Sequence, residues 1–367
     1  MDVVTIFLFV AGFVLLIVGA ESLVRGASRV AEAAGISAFV VGLTVVAYGT
    51  SAPELAVTVQ STFAEPPQPD LAVGNVVGSN ISNVLLVLGI AAVVVPLIVS
   101  RNVVRAGAPL MIAVSVLMWL LSLDGKIGRL DGIILFGGSI LYTVITVVRS
   151  RQGTAAARAA LAARSDGSHS ARKPLSILLD LVLIAAGLAL LTIGSRWLVH
   201  GAVNLAQYFG VSELIIGLTI VAIGTSLPEV ATSVVAVYRG QRDLAVGNVI
   251  GSNVFNILMV LGICGIVAPD GVAVSDVALH FDIPVMVVVA IACLPVFFFD
   301  YMIARWEGTI FLLYYAAYLT YLCLHAAEHD AIHAFSAVVL LFAAPLTALT
   351  FLIYWYRVLA KKRDSQP

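Results

Sequence analysis

The sequence contains few charged residues. Of its 367 residues only 11% are charged, whereas 61% are hydrophobic, and the formal net charge is -1. A soluble domain carries about a quarter of its residues as charges, so this chain has too little polar surface to fold in water. A soluble protein is excluded. At about 20 apolar residues per crossing, the length provides for roughly ten to twelve membrane-spanning helices.

Cysteine and catalytic metal motifs are also scarce. The three cysteines, Cys264, Cys293 and Cys323, lie in apolar stretches without a CxxC pair, which argues against a disulfide framework and a zinc site. The sequence has no HExxH motif and no histidine in its central apolar runs. We therefore expect no enzyme, no cofactor and no nucleic-acid partner, and a membrane-embedded hydrolase is the weaker alternative.

The apolar runs predict eleven membrane spans and hence an all-α polytopic membrane protein. Four of them, the second, third, seventh and eighth, are rich in Gly, Asn, Ser and Pro, which lipid-facing helices avoid. The predicted spans are 3–24, 38–62, 71–97, 106–122, 132–148, 175–199, 211–237, 244–268, 281–299, 307–325 and 334–357.

Basic residues predict the orientation. With the N-terminus outside, seventeen of the twenty Lys and Arg residues face the cytoplasm, as the positive-inside rule requires. Eleven spans then place the C-terminal tail, with Lys361, Lys362 and Arg363, inside. We expect an integral protein of a prokaryotic plasma membrane, and the oligomeric state is left open.

An internal repeat divides the chain. Residues 15–54 align with 190–229, and DLAVGNVVGSNISNVLLVLG from Asp70 aligns with DLAVGNVIGSNVFNILMVLG from Asp243. Each copy holds five spans, and an odd number gives the second copy the opposite membrane polarity. Such inverted repeats in secondary transporters place the substrate site near the midplane, where the halves meet.

The repeat predicts four units. These are a first five-helix repeat at 1–149, a basic cytoplasmic linker at 150–173, a second inverted repeat at 174–325, and an extra transmembrane helix with a cytoplasmic tail at 326–367. The linker is interpreted as flexible, with an Ala/Arg helix on anionic lipid headgroups as the alternative. No role is assigned to the extra helix.

Two polar motifs recur in both halves. GTSAPE ends at Glu54 and GTSLPE ends at Glu229, each well inside an apolar span. A carboxylate there costs about 2.5–3.5 kcal/mol on insertion scales, which indicates a functional role. Pro53 and Pro228 cannot donate to a carbonyl one turn earlier, so backbone carbonyls near each motif are candidate ligands.

The donor set predicts a hard cation. GNVVGSNISN at residues 74–83 and GNVIGSNVFN at 247–256 add hydroxyl and carboxamide oxygens. Together with the two carboxylates they form an all-oxygen set suited to Ca²⁺ and Na⁺. A single buried Glu or a small-residue motif has a packing explanation, but the duplication of both motifs argues against packing alone.

The paired motifs resemble the cation/calcium exchanger superfamily, most nearly its prokaryotic sodium/calcium exchanger branch. The resemblance implies two inverted five-helix halves, with the first and sixth helices as a sliding pair that gates access. Carried over by position, it implies that the ion ligands are Ala47, Thr50, Ser51, Glu54, Ser79 and Asn83, with Ala222, Thr225, Ser226, Glu229, Ser252 and Asn256 in the second half. The two alanines contribute their backbone carbonyls.

One position departs from several relatives, which have Asp where this chain has Asn256. The site then holds two acidic groups, which leaves the number of Na⁺ ions per Ca²⁺ open. We expect Na⁺/Ca²⁺ antiport, with H⁺/Ca²⁺ antiport on the same carboxylates as the alternative, and a passive cation channel as a further one.

A histidine-rich segment lies between the last two predicted spans. It comprises His325, Glu328, His329, Asp330 and His333. A transition-metal site is one interpretation of the four-residue His spacing, and an exposed polar loop is the other.

Overall fold

The computed structural model describes residues 3–65, 67–101, 103–162, 174–298, 301–348 and 352. Thirteen helices account for nearly all of these residues. They are α1 Val3–Ala34, α2 Ala38–Thr50, α3 Ala52–Thr62, α4 Pro69–Val94, α5 Val103–Leu121, α6 Arg129–Ala162, α7 Pro174–Tyr208, α8 213–225, α9 Leu227–Tyr238, α10 Arg242–Val267, α11 278–298, α12 Arg305–Ala326 and α13 Ala331–Ala348.

The helices coincide with the eleven predicted spans. Eight are single helices that are long and apolar enough to cross a membrane, and the bent pairs α2–α3 and α8–α9 each provide one further crossing. The remaining predicted span, 281–299, corresponds to α11, a shorter apolar helix. Of the last predicted span, 334–357, the part beyond residue 348 lies outside the described residues, apart from position 352.

Two bends occur at equivalent places in the two halves. The chain turns by 44° between α2 and α3 and by 54° between α8 and α9. The bend residues, Ser51 and Ser226, have ψ near zero, and Pro53 and Pro228 stand in the first turn of the next helix. Proline lacks the N–H that would continue the preceding helix, so a break with a fresh N-terminus follows.

Two long helices, α1 and α7, are antiparallel and meet along glycines. A Cβ atom added to Gly12 would lie 2.8 Å from the Gly194 carbonyl oxygen, and one added to Gly194 would lie 2.8 Å from that of Gly12. Gly19 and Gly187 are related in the same reciprocal way. Small residues let the two backbones approach closely, as in other membrane helix pairs.

Ion pairs join helices at one end of this pair. Glu21 of α1 contacts Arg25, and it accepts from Arg239 beyond α9 with an Nε–Oε2 distance of 3.0 Å. Arg29 of α1 lies 3.5 Å from the buried Asp180 of α7. Glu21 and Asp180 are therefore ion-paired residues outside the cluster around the bends.

Two short antiparallel strand pairs connect loops of opposite halves. β1 Leu97–Ile98 pairs with β4 Met302–Ile303, and β2 Lys126–Ile127 pairs with β3 Val272–Ala273. Each strand pair joins a loop of the first half to a loop of the second half, so the two halves are connected at both places.

The predicted linker is partly helical. α6 continues through residue 162, so the backbone at 150–162 is helical. Residues 163–173 lie outside the described residues. The four predicted units at 1–149, 150–173, 174–325 and 326–367 stay a prediction.

Candidate functional site

The two predicted carboxylates lie at the bends. Glu54 is in the first turn of α3 and Glu229 in the first turn of α9, and each side chain is fully buried. A helix N-terminus stabilises a negative charge because its N–H groups point outward along the axis. The bends therefore place both carboxylates at broken helix ends within the apolar core.

Hydroxyl groups from both halves surround the carboxylates. Ser51 donates to Glu229 Oε1 at 3.2 Å, which links the bend of the first half to the carboxylate of the second. Ser79 of α4 donates to Glu54 Oε1 at 3.4 Å, and Thr50 and Ser252 also face Glu229. Among the described residues neither Glu54 nor Glu229 forms a salt bridge, so no basic side chain balances the two carboxylates there.

Several buried oxygen atoms of this cluster have no hydrogen-bond partner among the described residues. A buried polar atom without a partner costs about 1–3 kcal/mol, so a native group of such atoms calls for an explanation. Six of the twelve predicted ligands contribute one each: Glu54 Oε2, Glu229 Oε2, Asn83 Oδ1, Asn256 Oδ1, Ser226 Oγ and Ser252 Oγ. A cation that accepts oxygen lone pairs would satisfy all six.

Backbone carbonyls at the bends are only partly available. The Ala47 carbonyl accepts from the Ser51 N–H at 3.0 Å and from the Thr50 hydroxyl at 3.4 Å. The Ala222 carbonyl accepts from Thr225 at 3.3 Å. A carbonyl oxygen has two lone pairs, so a hydrogen bond does not prevent it from contacting a cation.

The carbonyl that Pro228 leaves without its usual donor is that of Gly224. The Ser195 hydroxyl of α7 donates to it at 2.8 Å, so this oxygen is satisfied by a neighbouring helix. The equivalent of Ser195 in the first half is Ala20, which has no hydroxyl. The two bends are therefore supported differently.

Asparagines outside the predicted ligand set tie the halves together. Asn80 donates to the Asn253 carbonyl at 3.2 Å and Asn253 donates to the Asn80 carbonyl at 3.3 Å. These residues are repeat equivalents, so the pair marks the axis between the halves. The amide nitrogen of Asn256 donates to Asn80 Oδ1 at 3.1 Å. The amide oxygen of Asn256 takes no part in this bond.

Two further asparagines hold the bends. Asn75 donates to the Glu54 carbonyl at 3.1 Å and to Thr58 at 2.9 Å, while its equivalent Asn248 accepts from Thr50 at 3.2 Å. Sequence reasoning missed all four asparagines, although Asn75 stands four residues before Ser79 and so shares its helix face. That spacing was the available signal.

The site is closed on one side and open on the other. On the closed side α2 packs against α10, where a Cβ added to Gly251 would lie 2.5 Å from the Leu43 carbonyl oxygen. At the equivalent Gly78 of α4, an added Cβ would meet no atom of the described residues within 4 Å. Correspondingly Thr50 is buried, whereas its equivalent Thr225 in α8 is half-exposed.

Ten of the twelve predicted ligands thus lie in the buried cluster, whereas Ala222 and Thr225 border the open side. Local π-helical turns occur at equivalent places next to the site, at Gly42–Val46 and Gly217–Val221 and at Asn83–Val87 and Asn256–Leu261. Such turns inside α-helices are frequent at functional sites.

Helices broken at membrane depth, unpartnered buried oxygens from both halves and one-sided access define a membrane transporter for a cation. Comparison with known proteins agrees. The family model described as sodium/calcium exchanger protein matches residues 4–148 and 179–324. The chain belongs to the sodium/calcium exchanger family, a family of transporters and not of enzymes, and is accordingly a cation exchanger.

Individual relatives give the same result. The chain is 40% identical over 291 residues to the inner membrane protein YrbG of Escherichia coli, covering 77% of this chain and 86% of that protein. It is 29% identical over 351 residues to the sodium/calcium exchanger MaX1 of Methanosarcina acetivorans, covering 88% and 99%.

A solved structure shares the fold. The sodium-calcium exchanger NCX_Mj superposes with a TM-score of 0.72 at 30% identity, covering 86% of this chain and 97% of that chain. The predictions of an all-α polytopic membrane protein and of an exchanger are confirmed. The inverted-repeat arrangement is consistent with this match.

Proposed function

We propose that the protein exchanges Na⁺ for Ca²⁺ by alternating access, with both ions bound at Glu54 and Glu229. The observation that carries the proposal is the set of six buried oxygen atoms without hydrogen-bond partners among the described residues, two from the first half and four from the second. Carboxylate, carboxamide and hydroxyl oxygens are the ligands that Ca²⁺ and Na⁺ take, whereas softer metals prefer nitrogen and sulfur.

Charge balance accounts for obligatory exchange. Two carboxylates ~6 Å apart repel by roughly 3 kcal/mol at an effective dielectric constant of ~20, in addition to the desolvation of each. An empty site with two negative charges therefore resists passage through the apolar seam between the halves. One Ca²⁺ or two Na⁺ neutralise the site, so only loaded forms change sides readily.

With the N-terminus outside, the open side of the site faces outward. In that orientation α8 and the first turns of α4 lie in the outer half of the membrane, and α2 and the first turns of α10 lie in the inner half. The closed α2–α10 contact and the ion pairs of Glu21 are then cytoplasmic. This arrangement corresponds to an outward-facing state.

H⁺/Ca²⁺ exchange is the alternative, because two protons also neutralise two carboxylates. The hydroxyl and carboxamide ligands favour Na⁺, since a proton on a carboxylate needs no further oxygen ligands. The relative MaX1 is named a sodium/calcium exchanger, which also supports Na⁺.

The decisive experiment is isotopic Ca²⁺ flux into proteoliposomes with the protein reconstituted. We expect uptake when Na⁺ inside exceeds Na⁺ outside, and no uptake with equal Na⁺ on both sides. Uptake that follows an imposed pH gradient and ignores Na⁺ would establish the proton alternative. Ca²⁺ entry without any counter-ion would indicate a channel and refute the exchange mechanism.

A further inference from the structure

A large apolar cavity, open along one side, lies between α11, α12 and α13 and reaches Leu85 of α4. Its volume is about 740 Å³, in the range of pockets that hold one small molecule. Its walls include Val288 and Ala292 of α11, Ile310 and Ala317 of α12, and Leu340 of α13. The family match ends at residue 324, so α13, one wall of the cavity, lies outside the matched part of the chain.

A polar cavity of about 470 Å³ adjoins the apolar one. It is open at the surface and lined by exposed residues of the histidine-rich segment, including His325, Glu328, His329 and Asp330. Tyr321 lines both cavities, and so does Ser336. The ring of Tyr321 stacks between those of Phe281 and His325, at centroid distances of 4.2 and 5.9 Å.

We propose that the two cavities together bind one phospholipid of the bilayer, with an acyl chain in the apolar cavity and the headgroup in the polar one. Along α12 the apolar cavity extends from Ile310 to Tyr321, about 17 Å at 1.5 Å per residue. Half of a ~30 Å hydrocarbon core is ~15 Å. The depth therefore matches the chain region of one leaflet.

The environment of the apolar cavity favours a lipid chain. An apolar cavity in a protein excludes water, and the solvent around these membrane helices is itself hydrocarbon. An acyl chain fills this space without leaving any polar group unpaired.

The polar cavity favours a zwitterionic headgroup. His329 Nδ1 accepts from the Ala331 N–H at 3.1 Å, so a neutral His329 carries its proton on Nε2 and can donate to a phosphate oxygen. Glu328 and Asp330 beside it suit an ammonium group. Among the described residues no group of three or more His, Cys, Asp or Glu side chains could hold a metal ion.

Native mass spectrometry of the delipidated full-length protein tests the proposal. Titration with palmitoyl-oleoyl phosphatidylethanolamine should give one bound lipid per chain. Ala317→Trp, which fills the cavity from α12, should weaken binding at least tenfold, and Ala292→Trp should do the same from α11. Leu313→Trp is the matched control, since Leu313 is on the same helix, 64% exposed and not part of the cavity wall.

Headgroup recognition is tested separately with a diacylglycerol of the same chains. It should bind at least tenfold more weakly than the phospholipid, and His329→Ala should narrow that difference. The proposed lipid site would be wrong if Ala317→Trp and Ala292→Trp both bound the phospholipid as tightly as the wild type. It would also be wrong if Leu313→Trp weakened binding as much as they do. A lipid-free dimer as the only species would also overturn it, because a second chain would then cover this face. None of these measurements depends on ion transport.

Discussion

At the residue scale, Glu54 and Glu229 are distinguished by full burial without a basic partner among the described residues. A carboxylate in this position is costly unless a cation joins it during the working cycle. Each carboxylate has one oxygen bound to a serine hydroxyl and one without a partner. This division leaves one carboxylate oxygen in each half available to the ion that we propose binds here.

Replacing either carboxylate by its amide should abolish Ca²⁺ transport. Glu54→Gln or Glu229→Gln keeps the side-chain volume and removes one of two negative charges, so Ca²⁺ no longer neutralises the site. We expect the rate of Na⁺-driven Ca²⁺ uptake to fall by at least roughly tenfold, because a loss of 1.4 kcal/mol in binding already gives that factor.

Glu32→Gln is the control, since Glu32 is exposed at the end of α1. It should transport like the wild type, and all variants should purify as folded protein. Normal flux in Glu54→Gln or Glu229→Gln would remove that residue from the ion site.

Asn256→Asp should change the charge carried per cycle. In the proposed mechanism the wild-type site holds two carboxylates, and an exchange of two Na⁺ for one Ca²⁺ would move no net charge. A third carboxylate at Asn256, whose amide oxygen is buried without a partner, requires three Na⁺ for neutrality. We expect a current in reconstituted membranes under a Na⁺ gradient that the wild type does not produce.

Asn204→Asp in α7 serves as the comparison, because Asn204 hydrogen-bonds His200 away from the site. It should leave the current as in the wild type. Identical currents in the wild type and Asn256→Asp would show that position 256 does not set the ion ratio.

The residues of the candidate site could be predicted where the same motif occurs in both halves of the sequence. Glu54 and Glu229 are recognisable because each follows a proline inside an apolar span. The asymmetry between Thr50 and Thr225 was not predictable, since the two motifs are nearly identical and the difference arises from how the halves are packed in one state. The support of Gly224 by Ser195 depends on a tertiary contact that no local pattern reports.

At the scale of elements, the α1–α7 pair is the most tightly constrained contact. Close approach at Gly19 and Gly187 repeats at Gly12 and Gly194, seven residues apart on each helix. Hydropathy alone predicted these helices, and the family resemblance implied that they form a pair, but neither indicated which glycines bring them into contact. α6 was predicted to end near residue 148 and extends to 162, because the Ala- and Arg-rich sequence has high helix propensity outside the membrane as well.

A methyl group at the α1–α7 contact should separate the two helices. In Gly19→Ala the new Cβ would lie 2.8 Å from the Leu191 nitrogen and 2.9 Å from the Gly187 carbonyl oxygen, and neither backbone atom can move alone. Overpacking of this kind costs about 1–3 kcal/mol. We expect a lower melting temperature in detergent and slower Ca²⁺ exchange.

Gly137→Ala is the matched control in α6, where an added Cβ meets nothing within 4 Å. It should be neutral or slightly stabilising, since alanine favours a helix over glycine by up to ~1 kcal/mol. Equal melting temperatures for Gly19→Ala and the wild type would show that the two helices are not held at this distance.

At the scale of the whole molecule, the two halves have nearly the same sequence at the site but different surroundings. Gly251 is against α2, whereas its equivalent Gly78 is in open space. If Gly78 became packed and Gly251 became open, the site would be accessible from the opposite side of the membrane, and the fold would stay the same. The sequence predicts the repeat, and therefore one state open to each side of the membrane. It does not determine which of these two states is more stable.

The orientation that makes the open side external is tested by thiol labelling in intact cells. Cys264 and Cys293 are buried, so replacing Cys323 by Ala leaves a background of low reactivity. In this Cys323→Ala background, Gly74→Cys should react with an impermeant maleimide added outside, because Gly74 is exposed on the open side. Glu32→Cys, exposed at the opposite membrane face, should react only after permeabilisation. The reverse pattern would invert the topology and place the open side of the site in the cytoplasm.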